Sequence, residues 1–412
     1  MTIHTTGAVP DLFSEEVGSD PFSAYAELRA LGPVYDEQND LWLLTRHADV
    51  IHALHEPRIF SSAGGYSEFM SGRAGPGDAS GRANALRFDD LMGSRVMIAS
   101  DPPDHTLLRR VVSRPFTKRR IAEWERMAQD LAADLLDEAE ERLRSGESID
   151  FTKDIAIPLP VTLIAGILGI PAERMADFRR WSEALVGALA ASVDLERVGA
   201  DLLEMSQFFS EVVGARRQDP GDDLISAIAA ATPDGEQLSQ IEVVLFSILL
   251  LVAGNETTTN LLGNLQHALW DHPSEWATVR SHPEQAVDAV EEGLRYCGPV
   301  QGLFRQVTEA YRLGDVVLPA KAVVYVSFAA ANRDESVFEA ADSFKLNRDS
   351  REHVALGHGV HYCLGAQLAR LETRVVLEEL ARRDLDLVPH GAPTAMGNAV
   401  LRGYSSIPVA LA

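Results

Sequence analysis

Apolar positions along this chain follow two periods, and long helical stretches with a period near 3.6 alternate with brief strand-like segments. The longest helical stretch covers about 239–272. There Ser239 and Glu242 have the spacing of a capping box, and Pro273 marks the end of the helix. A hairpin is predicted with strands at 34–35 and 41–44, and a further strand at 323–326. The pattern predicts a largely helical chain with short strands and without internal repeats.

One segment, residues 356–365 with the sequence LGHGVHYCLG, places a cysteine among glycines just before a predicted amphipathic helix. Helix N-termini lower thiol pKa values, because backbone N–H groups and the helix dipole stabilise the thiolate. Such a thiolate is suited to binding a metal, and the glycines allow a large flat group such as haem to approach the backbone. The alternative for a lone cysteine is a small buried hydrophobic residue, which is the role we assign to Cys297.

This segment, extended by Leu-Gly-x-x-Leu-Ala-Arg, resembles the haem-thiolate loop of the cytochrome P-450 family, F-G-x-G-x-H-x-C-x-G. The resemblance implies haem b with Cys363 as the axial iron ligand and with Gly357 and Gly365 beside the haem. Leu356 replaces the usual Phe, which changes the packing next to the sulfur without removing a ligand.

The middle of the long helix contains small residues next to an acid and a hydroxyl group, in the order Ala253, Gly254, Asn255, Glu256, Thr257. A Gly kink with a locally bonded Thr would account for the pattern taken alone. Together with the cysteine loop, it resembles the oxygen-activation segment of the family. The resemblance implies that Ala253 and Gly254 lie against haem, that Thr257 holds a water or the bound oxygen, and that Glu256 connects to the proton supply.

A third motif is Glu292 and Arg295, an acid and a base three residues apart on one helical face. Within residues 288–300 this pair resembles the structural E-x-x-R helix of the family. The resemblance implies a buried network in which Arg348 is the third member.

Haem carries two propionates, and positively charged or hydrogen-bonding side chains are needed to bind them. Residues 101–110 resemble the family's D-P-P-x-H-x-x-x-R segment, in which His105 and Arg109 fall on one helical face. By the same resemblance, Arg305 and His361 complete the set that binds the propionates.

The resemblance also implies a substrate pocket lined by apolar side chains, and a mobile loop over it. We expect the glycine- and serine-rich stretch within residues 61–97 to form this loop, although simple disorder would give the same composition. The candidate pocket residues are Met92, Val96, Leu185, Leu189, Leu250, Ala253, Leu303 and Leu401.

Composition narrows the class of protein. The 412 residues are 46% hydrophobic and 24% charged, and the formal net charge of −24 argues against nucleic acid or an anionic membrane as the main partner. Two cysteines cannot build a disulfide framework. The N-terminus lacks the pattern of a signal peptide, and the apolar run 243–253 is too short to span a bilayer. We therefore expect a cytoplasmic protein without a membrane anchor, and a monomer.

The fold implied by the resemblance is mainly α: one domain over 1–412, with an N-terminal arm at 1–20, shaped as a triangular prism with small sheets. In it, haem lies between the long helix and the cysteine-loop helix. The implied activity is monooxygenation of a small or medium-sized apolar substrate by O2, at a C–H bond or a double bond. NAD(P)H would supply electrons indirectly, through a ferredoxin or flavodoxin and its reductase. A peroxide-driven peroxygenase and a non-enzymatic haem sensor or electron carrier are the alternatives.

A cluster of basic residues without acids, within residues 109–120, suggests where an acidic ferredoxin would dock. An ordinary solvated helix face is the alternative. The cluster comprises Arg109, Arg110, Arg114, Lys118, Arg119 and Arg120.

Overall fold

The structure is a computed structural model. This structure describes residues 9–14, 17, 20–64, 95–189, 195–232, 235, 237–383, 385–397 and 399–412. Met92, most of the expected loop 61–97 and much of the expected arm 1–20 lie outside the described residues. The chain forms two compact units. The first comprises Met1–Thr106, Leu294–Leu364 and Met396–Arg402, and the second comprises Leu107–Gly293, Gly365–Ala395 and Gly403–Ala412.

Most of the described chain is helical, as the sequence pattern predicts. The helices in chain order are α1 (Phe22–Leu31), α2 (His47–His55), α3 (Asp104–Ser113), α4 (Lys118–Arg144), α5 (Pro158–Leu168), α6 (Met175–Leu189), α7 (Leu195–Gln218), α8 (Leu224–Ala229), α9 (Gln240–Asp271), α10 (Pro273–Ser281), α11 (Ala286–Cys297), α12 (Phe328–Ala331) and α13 (Ala366–Arg382). A π-helical turn, Thr152–Ala156, precedes α5, and a 3-10 turn, Gly359–His361, lies in the cysteine loop.

The strands are short and belong to small sheets. They are β1 (Val34–Asp36), β2 (Leu41–Leu44), β3 (Phe60–Ser61), β4 (Ile149–Asp150), β5 (Gly302–Val307), β6 (Tyr311–Leu313), β7 (Val316–Leu318), β8 (Val323–Ser327), β9 (Leu387–Pro389), β10 (Thr394–Gly397), β11 (Arg402–Ser406) and β12 (Pro408–Leu411). The predicted hairpin is confirmed, because β1 and β2 pair antiparallel with Val34 opposite Leu43. The predicted strand at 323–326 is confirmed as β8.

The first unit is built on a five-stranded sheet with the order β1-β2-β8-β5-β3. β2 and β8 run parallel, whereas β8 and β5 run antiparallel with Leu303 opposite Val326. All four residues of β2 are buried, since apolar side chains cover both faces of this strand. Cys363 and its loop belong to this unit.

The second unit is a helical bundle with a three-stranded sheet, β4-β12-β9. Its central element is α9, which packs against α5, α6, α7 and α13. The predicted capping box is confirmed: the Ser239 hydroxyl accepts from the backbone N–H of Glu242, and the Glu242 carboxylate accepts from the backbone N–H of Ser239 at 2.7 Å.

The helix α9 is long and apolar enough to cross a membrane by length and composition, and half of its most apolar window is buried inside the protein. The apolar run 243–253 considered in the sequence is only part of this helix. Several other helices pack against α9, as is typical of the core helix of a bundle.

Candidate active site

The cysteine loop closes on itself before α13 begins. The backbone N–H of Cys363 donates to the carbonyl oxygen of Leu356 at 2.9 Å, and the Cys363 side chain is partly exposed. The helix begins at Ala366 with Gly365 as its N-cap, so it starts three residues after the cysteine. The thiol therefore sits just ahead of the first helical turn, on a loop whose geometry is fixed by its own backbone hydrogen bond.

Two glycines of this loop adopt the left-handed backbone that favours glycine, with φ of +68° at Gly357 and +66° at Gly359. At Gly359 the reason is also steric, because an added Cβ would lie 2.4 Å from the carbonyl oxygen of Leu54 at the end of α2. At Gly357 the nearest atom to an added Cβ, His361 O, is 3.7 Å away. The loop thus depends on glycine at both positions, and at Gly359 it also packs tightly against α2.

Two of the predicted propionate ligands lie side by side in the first unit. The rings of His105 and His361 have centroids 4.1 Å apart, and His361 Nε2 is 3.0 Å from the Ser62 hydroxyl oxygen. The backbone N–H of Ser62 donates to the Asp101 carboxylate at 2.9 Å, and the backbone N–H of His105 donates to the Asp101 carbonyl oxygen at 2.9 Å. Ser62 and Asp101 therefore hold the two histidines together. Neither Ser62 nor Asp101 was predicted from the sequence to hold the site together.

Arg305 on β5 is a buried cation in the same unit. Its Nη1 donates to the carbonyl oxygen of Phe304 at 2.8 Å, and a guanidinium has further N–H groups with which to bind a carboxylate. Burial lowers the pKa of Arg305 to about 10, and the Asp101 carboxylate offsets part of that effect. The side chain therefore remains charged at neutral pH, and burying such a charge is costly unless an anion accompanies it.

The middle of α9 carries the predicted acid and alcohol in the second unit. The Thr257 hydroxyl donates to the Ala253 carbonyl oxygen at 2.7 Å, and Glu256 Oε1 accepts from the Ser182 hydroxyl at 3.3 Å. Ala253 is exposed although it lies in the middle of this core helix. Gly254 instead faces Ile164 of α5, and a Cβ added at Gly254 would lie 3.5 Å from the Ile164 side chain, an ordinary van der Waals distance. Ala253 is therefore an uncovered position in the middle of α9, whereas Gly254 packs against α5.

The predicted E-x-x-R residues lie on α11, and both Glu292 and Arg295 are fully buried. Arg295 donates to the carbonyl oxygens of Ala341 at 2.7 Å and Ser343 at 3.0 Å. Arg348 is half-buried and also donates to the Ser343 carbonyl oxygen, at 3.3 Å. The two arginines thus meet at the Ser343 carbonyl oxygen, and the role of Arg348 as third member of a network with Glu292 and Arg295 stays a prediction.

The candidate pocket residues are distributed over both units. In the first, Val96 is buried and Leu303 and Leu401 are half-buried; Leu401 forms a β-bridge with Val300. In the second, Leu250 is half-buried one turn before Ala253. Met92 lies outside the described residues, and the side chains of Leu185 and Leu189 are not among those that the structure describes.

The basic segment on α3 and the start of α4 is partly neutralised by acids from elsewhere. Arg119 pairs with Glu123 at 3.0 Å, and Arg120 pairs with the distant Asp222. Arg110 and Arg114 are exposed, and Arg109 is half-buried. The segment is therefore less positive than its sequence suggests, and Arg114 is one of its exposed cations.

These residues fit haem. The first unit contains a partly exposed thiol on a glycine loop, a buried guanidinium and a histidine pair, which are donors for iron and for carboxylates respectively. Within the second unit, α9 carries a small exposed residue, Ala253, whose carbonyl oxygen accepts from the Thr257 hydroxyl. Cys363 would hold the iron, and Arg305, His105, His361 and Arg109 would bind the propionates.

Comparison with known proteins identifies the family of this chain. The cytochrome P-450 family profile matches residues 200–391. The chain is 38% identical to cytochrome P-450 107B1 of Saccharopolyspora erythraea, over 98% of this chain and 99% of that protein. It is 37% identical to a vitamin D(3) 25-hydroxylase of Pseudonocardia autotrophica, over 100% and 99% of the two chains.

A solved structure of the same architecture is that of cytochrome P-450 CYP109Q5 from Chondromyces apiculatus. It is similar to this chain with a TM-score of 0.85 and 34% identity, over 98% of this chain and 99% of that one. The mainly helical fold with small sheets is therefore the one expected from the sequence. On its sequence, its fold and its cysteine loop, the chain belongs to the cytochrome P-450 family of haem-dependent monooxygenases.

Proposed function

We propose that this enzyme inserts one oxygen atom from O2 into an apolar, polycyclic organic substrate, with electrons delivered by a separate ferredoxin or flavodoxin. The observation that carries the proposal is the first unit itself, in which the Cys363 loop accompanies a buried Arg305 and the paired His105 and His361. This combination supplies a soft ligand for iron and cationic or hydrogen-bonding groups for the cofactor's carboxylates.

When bound, haem supplies the oxygen activation and one-electron chemistry, and a thiolate ligand favours cleavage of the O–O bond. The role of Cys363 is to provide that thiolate. Its loop is held by the bond from its own N–H to Leu356 and by the close packing of Gly359 on Leu54. These contacts limit the movement of the sulfur, so Cys363 would be held in one position as an iron ligand.

Proton handling is assigned to α9. The Thr257 hydroxyl donates its hydrogen to the Ala253 carbonyl oxygen, so its oxygen lone pairs remain to accept a hydrogen bond from a water molecule. Glu256, the preceding residue, has a carboxyl group that can release and recover a proton during turnover. We propose that Glu256 supplies protons and that Thr257 orients the group that receives them.

The substrate class is inferred from the apolar candidate pocket residues and from one relative. Val96, Leu303, Leu401 and Leu250 offer no charge to a ligand, which favours an apolar molecule. The protein that resembles this chain over its full length at 37% identity is named a vitamin D(3) 25-hydroxylase. We therefore propose secosteroids and steroids as the first substrate class to examine.

The test combines binding and turnover. Vitamin D3 and testosterone should displace the water ligand of ferric haem and shift the iron towards high spin, more strongly than a fatty acid does. Turnover with ferredoxin, its reductase and NAD(P)H under 18O2 should place one 18O atom in the product. Equal turnover with hydrogen peroxide alone would instead indicate a peroxygenase, and a haem protein that gives neither a spin shift nor a product would indicate a sensor or electron carrier.

A further inference from the structure

Glu256 is held by a serine on a neighbouring helix of the second unit. The Ser182 hydroxyl, on α6, donates to Glu256 Oε1 at 3.3 Å. In turn, Nδ2 of Asn255 donates to the Ser182 oxygen at 2.8 Å. Because the amide nitrogen only donates, Ser182 accepts from Asn255 with a lone pair and keeps its one hydrogen for Glu256. In this arrangement both hydrogen bonds point from Asn255 through Ser182 towards Glu256.

The residues behind Glu256 are buried and well anchored. Ser182 is fully buried and Asn255 is 2% exposed. Asn255 Oδ1 lies 3.4 Å from the Thr259 hydroxyl, which donates to the carbonyl oxygen of Ala156 at 3.1 Å. This chain of contacts connects Glu256 to the π-helical turn that ends at Ala156, and side chains in such a network have little freedom to reorient.

The helix that carries Ser182 is itself fixed by aromatic packing. Trp181, which is fully buried, lies with its ring 5.6 Å from Phe178 and 5.3 Å from Phe208. Phe178 also packs against Phe209, at 5.7 Å. These contacts join α6 to α7, so the Ser182 hydroxyl is presented from a rigid element.

We propose that Ser182 is a positioning residue for the reaction, which holds the Glu256 carboxyl in the orientation from which it delivers protons. Asn255 sets the direction of the Ser182 hydroxyl, and Glu256 receives that hydroxyl's hydrogen. The inference rests on the proposed role of Glu256 as the proton supplier. At 3.3 Å the hydrogen bond from Ser182 to Glu256 is longer than the usual O–H···O bond, so its expected effect on the orientation of the carboxyl group is several-fold.

The test compares Ser182→Ala with Ser182→Thr, which keeps the hydroxyl. Ser247→Ala is the matched control, because Ser247 is another fully buried serine, and its hydroxyl bonds back along α9 to the Val243 carbonyl oxygen at 2.8 Å. Each variant of the haem-loaded enzyme is measured with vitamin D3 for the spin shift, and for product and hydrogen peroxide formed per NAD(P)H. If vitamin D3 gives no spin shift, it is replaced in all variants by another ligand that shifts the wild-type haem iron towards high spin.

A second measurement does not depend on turnover. The infrared band of the Glu256 carboxyl is identified by its loss in Glu256→Gln, and its frequency reports the hydrogen bond that it accepts. We expect this band to move in Ser182→Ala and to keep its wild-type position in Ser182→Thr and Ser247→Ala.

The expected kinetic result is an unchanged substrate dissociation constant in Ser182→Ala with a several-fold loss of product per NAD(P)H and a matching rise in peroxide. Ser182→Thr should restore coupling, and Ser247→Ala should match the wild type. The inference is overturned if Ser182→Ala behaves like Ser247→Ala in coupling or in the carboxyl band. If Glu256→Gln itself keeps wild-type coupling, the proton role of Glu256 fails and the inference fails with it. If Glu256→Gln loses coupling while Ser182→Ala does not, only the positioning role fails.

Discussion

The strongest steric prediction concerns Gly359, where the cysteine loop meets the end of α2. Its backbone has φ of +66°, and an added Cβ would lie 2.4 Å from the Leu54 carbonyl oxygen. The left-handed backbone costs a residue with a Cβ about 1–2 kcal/mol. The clash has to be relieved by backbone movement of about 0.6 Å to reach even a 3.0 Å contact, and forcing extra volume into a packed site costs about 1–3 kcal/mol.

Gly359→Ala is therefore expected to lower the free energy of unfolding by about 2–5 kcal/mol. Gly314→Ala is the control, since Gly314 also has a positive φ, +57°, but an added Cβ there has no atom within 4 Å. This control should show only the backbone cost of about 1–2 kcal/mol.

The assay is urea unfolding of the haem-loaded protein, followed by the Soret band and by far-ultraviolet circular dichroism. The same samples, reduced under carbon monoxide, report the fraction of haem that keeps thiolate ligation. Gly359→Ala should lose part of that fraction as well as stability, because the displaced backbone belongs to the cysteine loop. Equal stability losses in Gly359→Ala and Gly314→Ala would refute the packing argument.

Three further predictions follow from the site and its surroundings. Thr257→Ala should bind substrate normally but divert electrons to peroxide. The control Thr278→Ala, which removes an exposed helical hydroxyl, should keep the wild-type yield of product per NAD(P)H. An unchanged yield in Thr257→Ala would show that Thr257 does not handle protons. Arg114→Glu should slow the first electron transfer from an acidic ferredoxin several-fold at low salt and less at high salt. The control is Arg312→Glu, which changes another exposed arginine. Equal rates in the two variants would place the docking site elsewhere. Burial raises the pKa of Glu372 well above its usual value, so the folded state keeps a proton that the unfolded state loses above about pH 4.5. The free energy of unfolding of the wild type should therefore fall with rising pH relative to that of Glu372→Gln, by up to about 1.4 kcal/mol per pH unit, and parallel profiles would contradict the assignment.

The features that the sequence predicted well are those determined by local chemistry. The Ser239–Glu242 capping box involves residues three apart, and the β1–β2 hairpin is set by one short turn, so both can be read from neighbouring positions. The helix α13 begins at Ala366, just after the cysteine as the sequence predicted. The Cys363 N–H donates to Leu356 instead of helping to open a helix, and that backbone bond has no sequence signal.

The features that the sequence did not predict depend on contacts between distant positions. Ser182 reaches Glu256 across 74 residues, and Arg120 meets Asp222 across 102. Ser62 reaches His361 across 299 residues. A serine in an apolar helix gives no indication of which acid it will face, because its role arises only when two helices pack. The motif residues could be named in advance, whereas the residues that position them required the fold.

The central claim, that Cys363 is the thiolate ligand of a haem iron, is tested most directly by the reduced carbon monoxide complex. Cys297→Ala is the matched control, because Cys297 is the chain's other cysteine and is buried in α11. The wild type and Cys297→Ala should both show the red-shifted Soret band of thiolate ligation, and Cys363→Ser should lose it. A Cys363→Ser protein that keeps this band, or a Cys297→Ala protein that loses it, would contradict the account.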